Sequence, residues 1–158
     1  MRKTLVSLSV LLLVTVGSFF LIRTLYVPLK YEEMIRKYAH QYQVPPTFVA
    51  SIIRIESGFQ ANKQGGLMNI SEEAAIQIAK DMGMKSFDPS FITHPETNLK
   101  LGIWYLGKAY RASNFVTTIK NWTSRNGLAQ QKEELNYYVR TVAKQTSYYR
   151  FWHGKKLR

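Results

Sequence analysis

The sequence contains no cysteine, so disulfides, thiolate metal sites and a cysteine nucleophile are all excluded. A lipoprotein anchor is excluded as well, because its lipid would have to be attached to a cysteine. Acidic residues are few, with 10 against 22 basic ones, and the net charge is +12. Such a charge favours anionic partners, which could be nucleic acid, an anionic cell wall or lipid head groups.

Charged residues are also absent from the run Thr4–Ile22, which follows Arg2 and Lys3. A helix of this length is roughly 28 Å long, close to the hydrocarbon thickness of a membrane. We therefore expect a signal-anchor over residues 1–22 with its N-terminus in the cytoplasm, and a cleaved signal peptide is the alternative. A juxtamembrane linker over residues 23–30 and one domain over residues 31–158 complete the chain. Because the anchor would hold the domain outside the cell, nucleic acid is not an expected partner.

The remainder shows no lasting strand-like alternation and predicts an all-α domain. Apolar residues recur at helical spacing in six segments, which are 31–43, 47–57, 71–82, 96–111, 114–122 and 130–152. Ser71 is the expected N-cap of the third segment, while residues 83–95 predict a loop. The three histidines lack metal-ligand spacing, so no metal or cofactor is implied, and we expect them at the surface or in loops.

Glu56 shares a helix face with Val49, Ile52 and Ile53, because these positions are spaced as i, i+3, i+4 and i+7. Burial disfavours the charged form of a carboxyl group, and a carboxyl that is protonated at neutral pH can act as a general acid. The Gly-rich polar loop that follows suggests a cleft. The alternative is a structural glutamate capped by backbone amides of that loop.

Five segments are similar to the lytic transglycosylase family, which has a goose-type lysozyme-like fold: VASIIRIESGF, GGLMN, EEAAIQIA, NLKLGIWYLGKAY and ELNYYVRTVAKQTSYYRF. The resemblance covers roughly residues 31–152 and implies a lysozyme-like helical domain. It implies that Glu56 is the catalytic acid/base, Ser57 the serine beside it, Met68 and Asn69 residues that line the cleft, and Tyr138 a tyrosine that approaches the glutamate.

The resemblance also implies a reaction. Glu56 would protonate the oxygen that links N-acetylmuramic acid to N-acetylglucosamine in peptidoglycan, and the muramic C6 hydroxyl would attack its own C1 to give a 1,6-anhydro sugar. A lysozyme-type hydrolase of the same fold is the first alternative. It would need a second carboxyl about 5–5.5 Å or about 6.5–9.5 Å away, for which Asp88 is the candidate.

The sequence departs from the family pattern in ways that make it a divergent member. Asn69 stands where glutamine is usual, and Ala74 replaces a threonine. The segment Asn121–Arg125 takes the place of the Ala-Tyr-Asn-Ala-Gly motif, with Trp122 expected to supply an aromatic wall for the sugar. A second alternative is therefore a peptidoglycan-binding or scaffold module that has lost activity. We expect the domain on the cell-wall side of a bacterial membrane, where it could join an envelope complex.

Overall fold

The computed structural model of the chain describes residues 2–110, 114–126 and 131–158. Within these residues the secondary structure is helical, and no strand is formed. The elements follow in the order α1 (Arg2–Tyr26), α2 (Glu32–Gln41), α3 (Pro46–Glu56), α4 (Glu72–Asp81), a 3-10 turn (Pro89–Thr93), α5 (Pro95–Ala109), α6 (Phe115–Thr123) and α7 (Lys132–His153). The predicted all-α class is confirmed over this part of the chain.

Side-chain caps begin several of these elements. The Ser71 hydroxyl accepts a hydrogen bond from the Ala74 amide at 3.2 Å, so the predicted N-cap of α4 is confirmed. Asn114 caps α6 in the same way. The stretch 83–95, expected as a loop, contains the 3-10 turn, which Asp88 caps by accepting from the Ser90 amide at 2.9 Å. The helix ends predicted at residues 111 and 130 lie outside the described residues.

Helix α3 is packed between α2 and α7 and carries Glu56 at its end. The apolar face predicted from the sequence is fully buried at Val49, Ile52 and Ile53. Burying one such side chain contributes about 1.5–3 kcal/mol relative to leaving it exposed. Because these contacts extend along most of its length, α3 gives its last residue a defined position in the domain.

A buried asparagine clamps the turn that follows α3. The side-chain nitrogen of Asn98 donates to the carbonyls of Gly65 and Ile92, at 2.9 and 2.8 Å, and its oxygen accepts from the Met68 amide at 2.7 Å. A Cβ on Gly66, whose φ is +67°, would lie 2.4 Å from the Asn98 side chain. The clamp therefore requires glycine there and sets the course of the chain into Asn69.

The N-terminal segment differs from the expectation. Among the described residues, no helix combines the length and the apolar character needed to cross a membrane, so the transmembrane helix predicted for residues 1–22 is not confirmed. Helix α1 continues to Tyr26, and the end of the predicted linker is docked on α7. The Tyr149 hydroxyl donates to the Pro28 carbonyl at 2.7 Å, and the His153 ring bonds the Val27 carbonyl at 2.8 Å.

His153 is therefore buried, with 5% of its surface exposed, and the expectation of a surface or loop position was wrong for this residue. The docked linker covers the last turn of α7, which the helical period alone does not reveal. His40 and His94 are exposed, as expected.

Candidate active site

Glu56 is the last residue of α3, and the backbone leaves the helix directly after it. Ser57 has φ −131° and ψ −15°, and Gly58 has the left-handed φ of +64°. This break turns the chain away from the helix axis, so the glutamate side chain projects from a helix end. Only 8% of that side chain is exposed, which agrees with its prediction on an apolar face.

The Glu56 carboxylate accepts hydrogen bonds from three side chains and forms an ion pair with a fourth. Oε1 accepts from the indole of Trp122 at 2.9 Å and from the hydroxyl of Tyr138 at 2.5 Å. Oε2 accepts from the amide of Asn69 at 3.1 Å and forms an ion pair with Nη2 of Arg125 at 2.9 Å. The donors come from α6, α7, the turn after α3 and the turn after α6, so the carboxylate joins four segments of the fold. We call these five residues the glutamate cluster.

The backbone amides proposed in the alternative reading of Glu56 are not its partners in these four contacts, since each contact is made by a side chain. Side-chain donors from distant segments can be brought together only by the tertiary fold. Their convergence on one carboxylate is the feature that distinguishes Glu56 from an ordinary helix-end glutamate.

Three of the expected binding residues, Asn69, Trp122 and Tyr138, contact the glutamate. Trp122, however, is fully buried and presents its indole to the carboxylate from inside the domain, rather than forming an open aromatic wall. Asn69 is exposed and has φ +49°. Its left-handed backbone and short side chain direct the amide to Glu56.

Ser57 and Met68 occupy different surroundings. Both are fully buried, and the Ser57 hydroxyl donates to the Ile53 carbonyl at 3.2 Å, within the end of α3. Met68 approaches α5 so closely that a Cβ on Gly102 would lie 2.5 Å from its sulfur. Their side chains support the segments on which Glu56 and Asn69 are carried, and a role in binding substrate stays a prediction.

Arg125 is the member of the glutamate cluster that the sequence did not reveal. Its side chain is 4% exposed, and it lies over the Trp122 ring at 3.9 Å. It also donates to the carbonyls of Trp122, Met68 and Asn69 at 2.9, 3.0 and 2.9 Å. A buried carboxylate usually has a positively charged partner, so the sequence indicated that Glu56 needs one. It did not show which of the 22 basic residues this partner is.

Tyr138 is held as a donor by its environment. Burial, and then the negative charge of Glu56, raise the pKa of the Tyr138 phenol well above its usual value. The phenol therefore keeps its proton throughout the neutral range and directs it at Oε1.

The carboxylates whose partners the structure shows are engaged away from this cluster. Asp88, the candidate second carboxyl, caps the 3-10 turn, and the hydrogen bond from Ser90 holds the pKa of its carboxyl below the usual value. Asp81 pairs with Lys108, and Glu96 pairs with Lys37 and Tyr38. No group of three His, Asp or Glu side chains suited to a metal occurs in the described part of the chain.

A family model with the description "Transglycosylase SLT domain" matches residues 33–142, which is more than half of the chain. The soluble lytic murein transglycosylases of Escherichia coli strains K12 and O157:H7 are each 24% identical over 156 residues. Each match covers 82% of this chain and 24% of the relative, so the chain spans about a quarter of the length of these proteins.

The crystal structure of the 70 kDa soluble lytic transglycosylase of Escherichia coli superposes with a TM-score of 0.70 at 22% identity. The match covers 83% of this chain and 26% of that one. At this identity the likeness shows that the two share a fold.

Proposed function

Because the chain belongs to the transglycosylase SLT domain family, we propose that it is a lytic transglycosylase that cleaves the β-1,4 bond between N-acetylmuramic acid and N-acetylglucosamine in peptidoglycan. The resemblance read from the sequence motifs is thereby confirmed at the level of the family. The observation that carries the proposed activity is the glutamate cluster, in which one carboxylate at a helix end is surrounded by donors from four segments.

The reaction needs one carboxyl group. Glu56 in its protonated form gives its proton to the glycosidic oxygen, which leaves as the hydroxyl of N-acetylglucosamine. The resulting carboxylate then takes the proton of the muramic C6 hydroxyl, and that oxygen closes on C1. An intramolecular hydroxyl is already close to C1, so no water needs to be bound and activated. A reaction with one carboxyl group fits this site, because Asp81, Asp88 and Glu96 are engaged with partners elsewhere.

The first experiment is a digest of purified peptidoglycan with the chain and with its Glu56→Gln variant, read by mass spectrometry. We expect anhydro-muropeptides from the wild-type chain and at least about a hundredfold less from the variant, since general acid–base catalysis contributes about 10²–10⁴-fold. Glu33→Gln is the matched control, because Glu33 is exposed on α2, and it should release normal amounts. Reducing-end products from the wild-type chain would mean a lysozyme-type hydrolase instead.

One observation favours the second candidate, a peptidoglycan-binding or scaffold module. Both Glu56 oxygens are occupied by donors, and the side chain is nearly covered. If neither protein released soluble product while both bound peptidoglycan, this second function would replace the first.

We keep membrane attachment through residues 1–22 as a proposal that rests on the uncharged run Thr4–Ile22 behind Arg2 and Lys3. It would place residues 31–158 on the cell-wall side of a bacterial membrane and restrict cutting to nearby strands. Fractionation of cells that produce the whole chain or residues 31–158 tests it. Recovery of the whole chain away from the membrane fraction would exclude the anchor.

A further inference from the structure

The Arg125 side chain joins three of the segments that surround Glu56. Its Nη2 atom reaches Glu56 Oε2 as well as the Met68 and Asn69 carbonyls, and Nη1 reaches the Trp122 carbonyl. With 4% of its side chain exposed, Arg125 covers the Glu56 carboxylate and also balances its negative charge. One flexible side chain therefore holds the glutamate cluster together.

The reaction requires an arrangement different from this one. Glu56 Oε1 accepts two hydrogen bonds, from Trp122 and Tyr138, while Oε2 accepts one from Asn69 and lies 2.9 Å from the Arg125 guanidinium in an ion pair. Because the Glu56 side chain is only 8% exposed, a sugar oxygen can reach the carboxyl group only by taking the place of one of these four side chains. The structure thus shows a closed site in which one of them must move before Glu56 can act as an acid.

Arg125 is the donor best suited to leave. Trp122 is fixed in the core, and Tyr138 extends from the long helix α7. Arg125 follows the C-cap of α6, its side chain has several rotatable bonds, and its buried Nε has no hydrogen-bond partner. A side chain with an unsatisfied buried N–H gains a hydrogen bond when it moves to a new acceptor.

Departure of Arg125 also creates a requirement for a new anion. Once Glu56 carries a proton, the guanidinium has lost its counter-charge, and a buried charge without a partner is strongly unfavourable. Peptidoglycan can supply the replacement, because its peptide stems carry carboxylates, and a guanidinium binds carboxylates in a bidentate manner. A neutral glycan cannot supply it.

We propose that Arg125 is the specificity-determining residue of this site: it latches Glu56 in the closed site and releases it in exchange for a carboxylate of the substrate. The site then opens for glycan strands that carry free carboxylates and stays closed to neutral ones. This inference rests on the proposed function for the identity of the ligand, but it is tested by binding alone.

The test compares two ligands that differ only in charge. One is the disaccharide-tetrapeptide N-acetylglucosaminyl-N-acetylmuramyl-tetrapeptide with free carboxylates, and the other is the same molecule with every carboxylate amidated. Neither contains a muramyl–glucosaminyl bond, so turnover does not interfere with calorimetry. We expect the wild-type chain to prefer the charged ligand by at least about tenfold, as is usual when one partner of a buried charge pair is removed.

Substitutions identify the residue responsible. Arg125→Ala should abolish the preference and bind the amidated ligand more tightly than the wild-type chain does, since the latch is gone. Arg125→Lys should retain part of the preference, because it keeps the charge without the planar fork. Lys120→Ala is the control for the general positive charge, since Lys120 is exposed on α6, and it should keep the full preference. Equal binding of both ligands by the wild-type chain, or a preference that survives in Arg125→Ala, would overturn the proposal.

A second measurement needs no change at Arg125. In a chain whose Trp104 and Trp152 are replaced by phenylalanine, Trp122 is the remaining tryptophan, and Arg125 covers its ring. The charged ligand should shift the fluorescence emission of Trp122, and the amidated ligand should not. The same shift with both would contradict the latch. An intact charge preference without anhydro products would leave the latch standing and reject the lytic reaction.

Discussion

At the scale of single residues, Tyr138 shows how the fold supports Glu56. Its hydroxyl donates to Oε1 at 2.5 Å, while Trp122 donates to the same oxygen at 2.9 Å. Burial of the ring, and then the charge of Glu56, raise the pKa of the phenol and keep it protonated. Tyr138 and Trp122 therefore define the orientation of the carboxylate, and the other oxygen is left to Asn69 and Arg125.

We predict that Tyr138→Phe lowers both stability and activity. A hydrogen bond to a charged group contributes about 1.5–3 kcal/mol, so the free energy of unfolding in urea should fall by that order. Release of muropeptides should fall as well, because the carboxylate loses one of the contacts that orient it. Tyr137→Phe is the matched control, since the neighbouring Tyr137 is 68% exposed. Equal effects of the two substitutions would show that the hydrogen bond from Tyr138 to Glu56 contributes to neither stability nor activity.

At the scale of elements, the turn between α3 and α4 is positioned by α5. Asn98 in α5 holds this turn through the Gly65 carbonyl and the Met68 amide. Arg125 and Asn126, after α6, donate to the Asn69 carbonyl from the other side. Contacts from two separate elements thus hold this turn beside the end of α3, which places Asn69 within hydrogen-bond distance of Glu56.

A glycine substitution tests this clamp. Gly66→Ala should destabilise the protein, because its φ is +67° and the new Cβ would meet the Asn98 side chain at 2.4 Å and the Ile92 carbonyl at 2.7 Å. Gly83→Ala is the control, since Gly83 has φ +76° with nothing within 4 Å of the added Cβ. The left-handed conformation alone costs about 1–2 kcal/mol.

Gly66→Ala should therefore exceed Gly83→Ala in the loss of unfolding free energy measured in urea, and it alone should reduce peptidoglycan digestion. Similar losses from both would mean that the Asn98 side chain can move away from the added Cβ without lowering the free energy of unfolding.

At the scale of the whole molecule, positive charge is concentrated around the C-terminal tail. A cavity of about 940 Å³ is lined by basic and aromatic side chains, among them Arg150, Lys155, Lys156 and Arg158. Lys156 lies 3.9 Å from Glu32. None of the residues that line this cavity belongs to the glutamate cluster, so we expect attraction to an anionic wall and the proposed cleavage to involve different parts of the surface.

We predict that binding of the Glu56→Gln chain to purified peptidoglycan weakens with added salt. The Debye length shortens from about 10 Å at 0.1 M to about 3 Å at 1 M, which screens exposed charges. The double variant Lys155→Glu and Arg158→Glu should weaken binding more than Lys63→Glu with Lys85→Glu, although the two change the net charge equally. Equal weakening in a sedimentation assay would assign the attraction to net charge rather than to the tail.

The sequence alone determined the features that depend on neighbours along the chain. The helical period placed Val49, Ile52, Ile53 and Glu56 on one face, and Ser71 was recognisable as a cap because capping involves residues three positions apart. The order of the Glu-Ser and Gly-Leu-Met segments indicated the family. Each of these signals is local, so it can be read before the chain is folded.

Only the tertiary structure decided which side chains meet at Glu56. Arg125 reaches the carboxylate because α6 ends beside the turn that holds Asn69, and the same packing buries Trp122 inside the domain. His153 is buried because the segment after α1 folds back on α7. These contacts join residues 56 to 126 positions apart, and pairings at that separation are set by helix packing and loop direction, which no local pattern encodes.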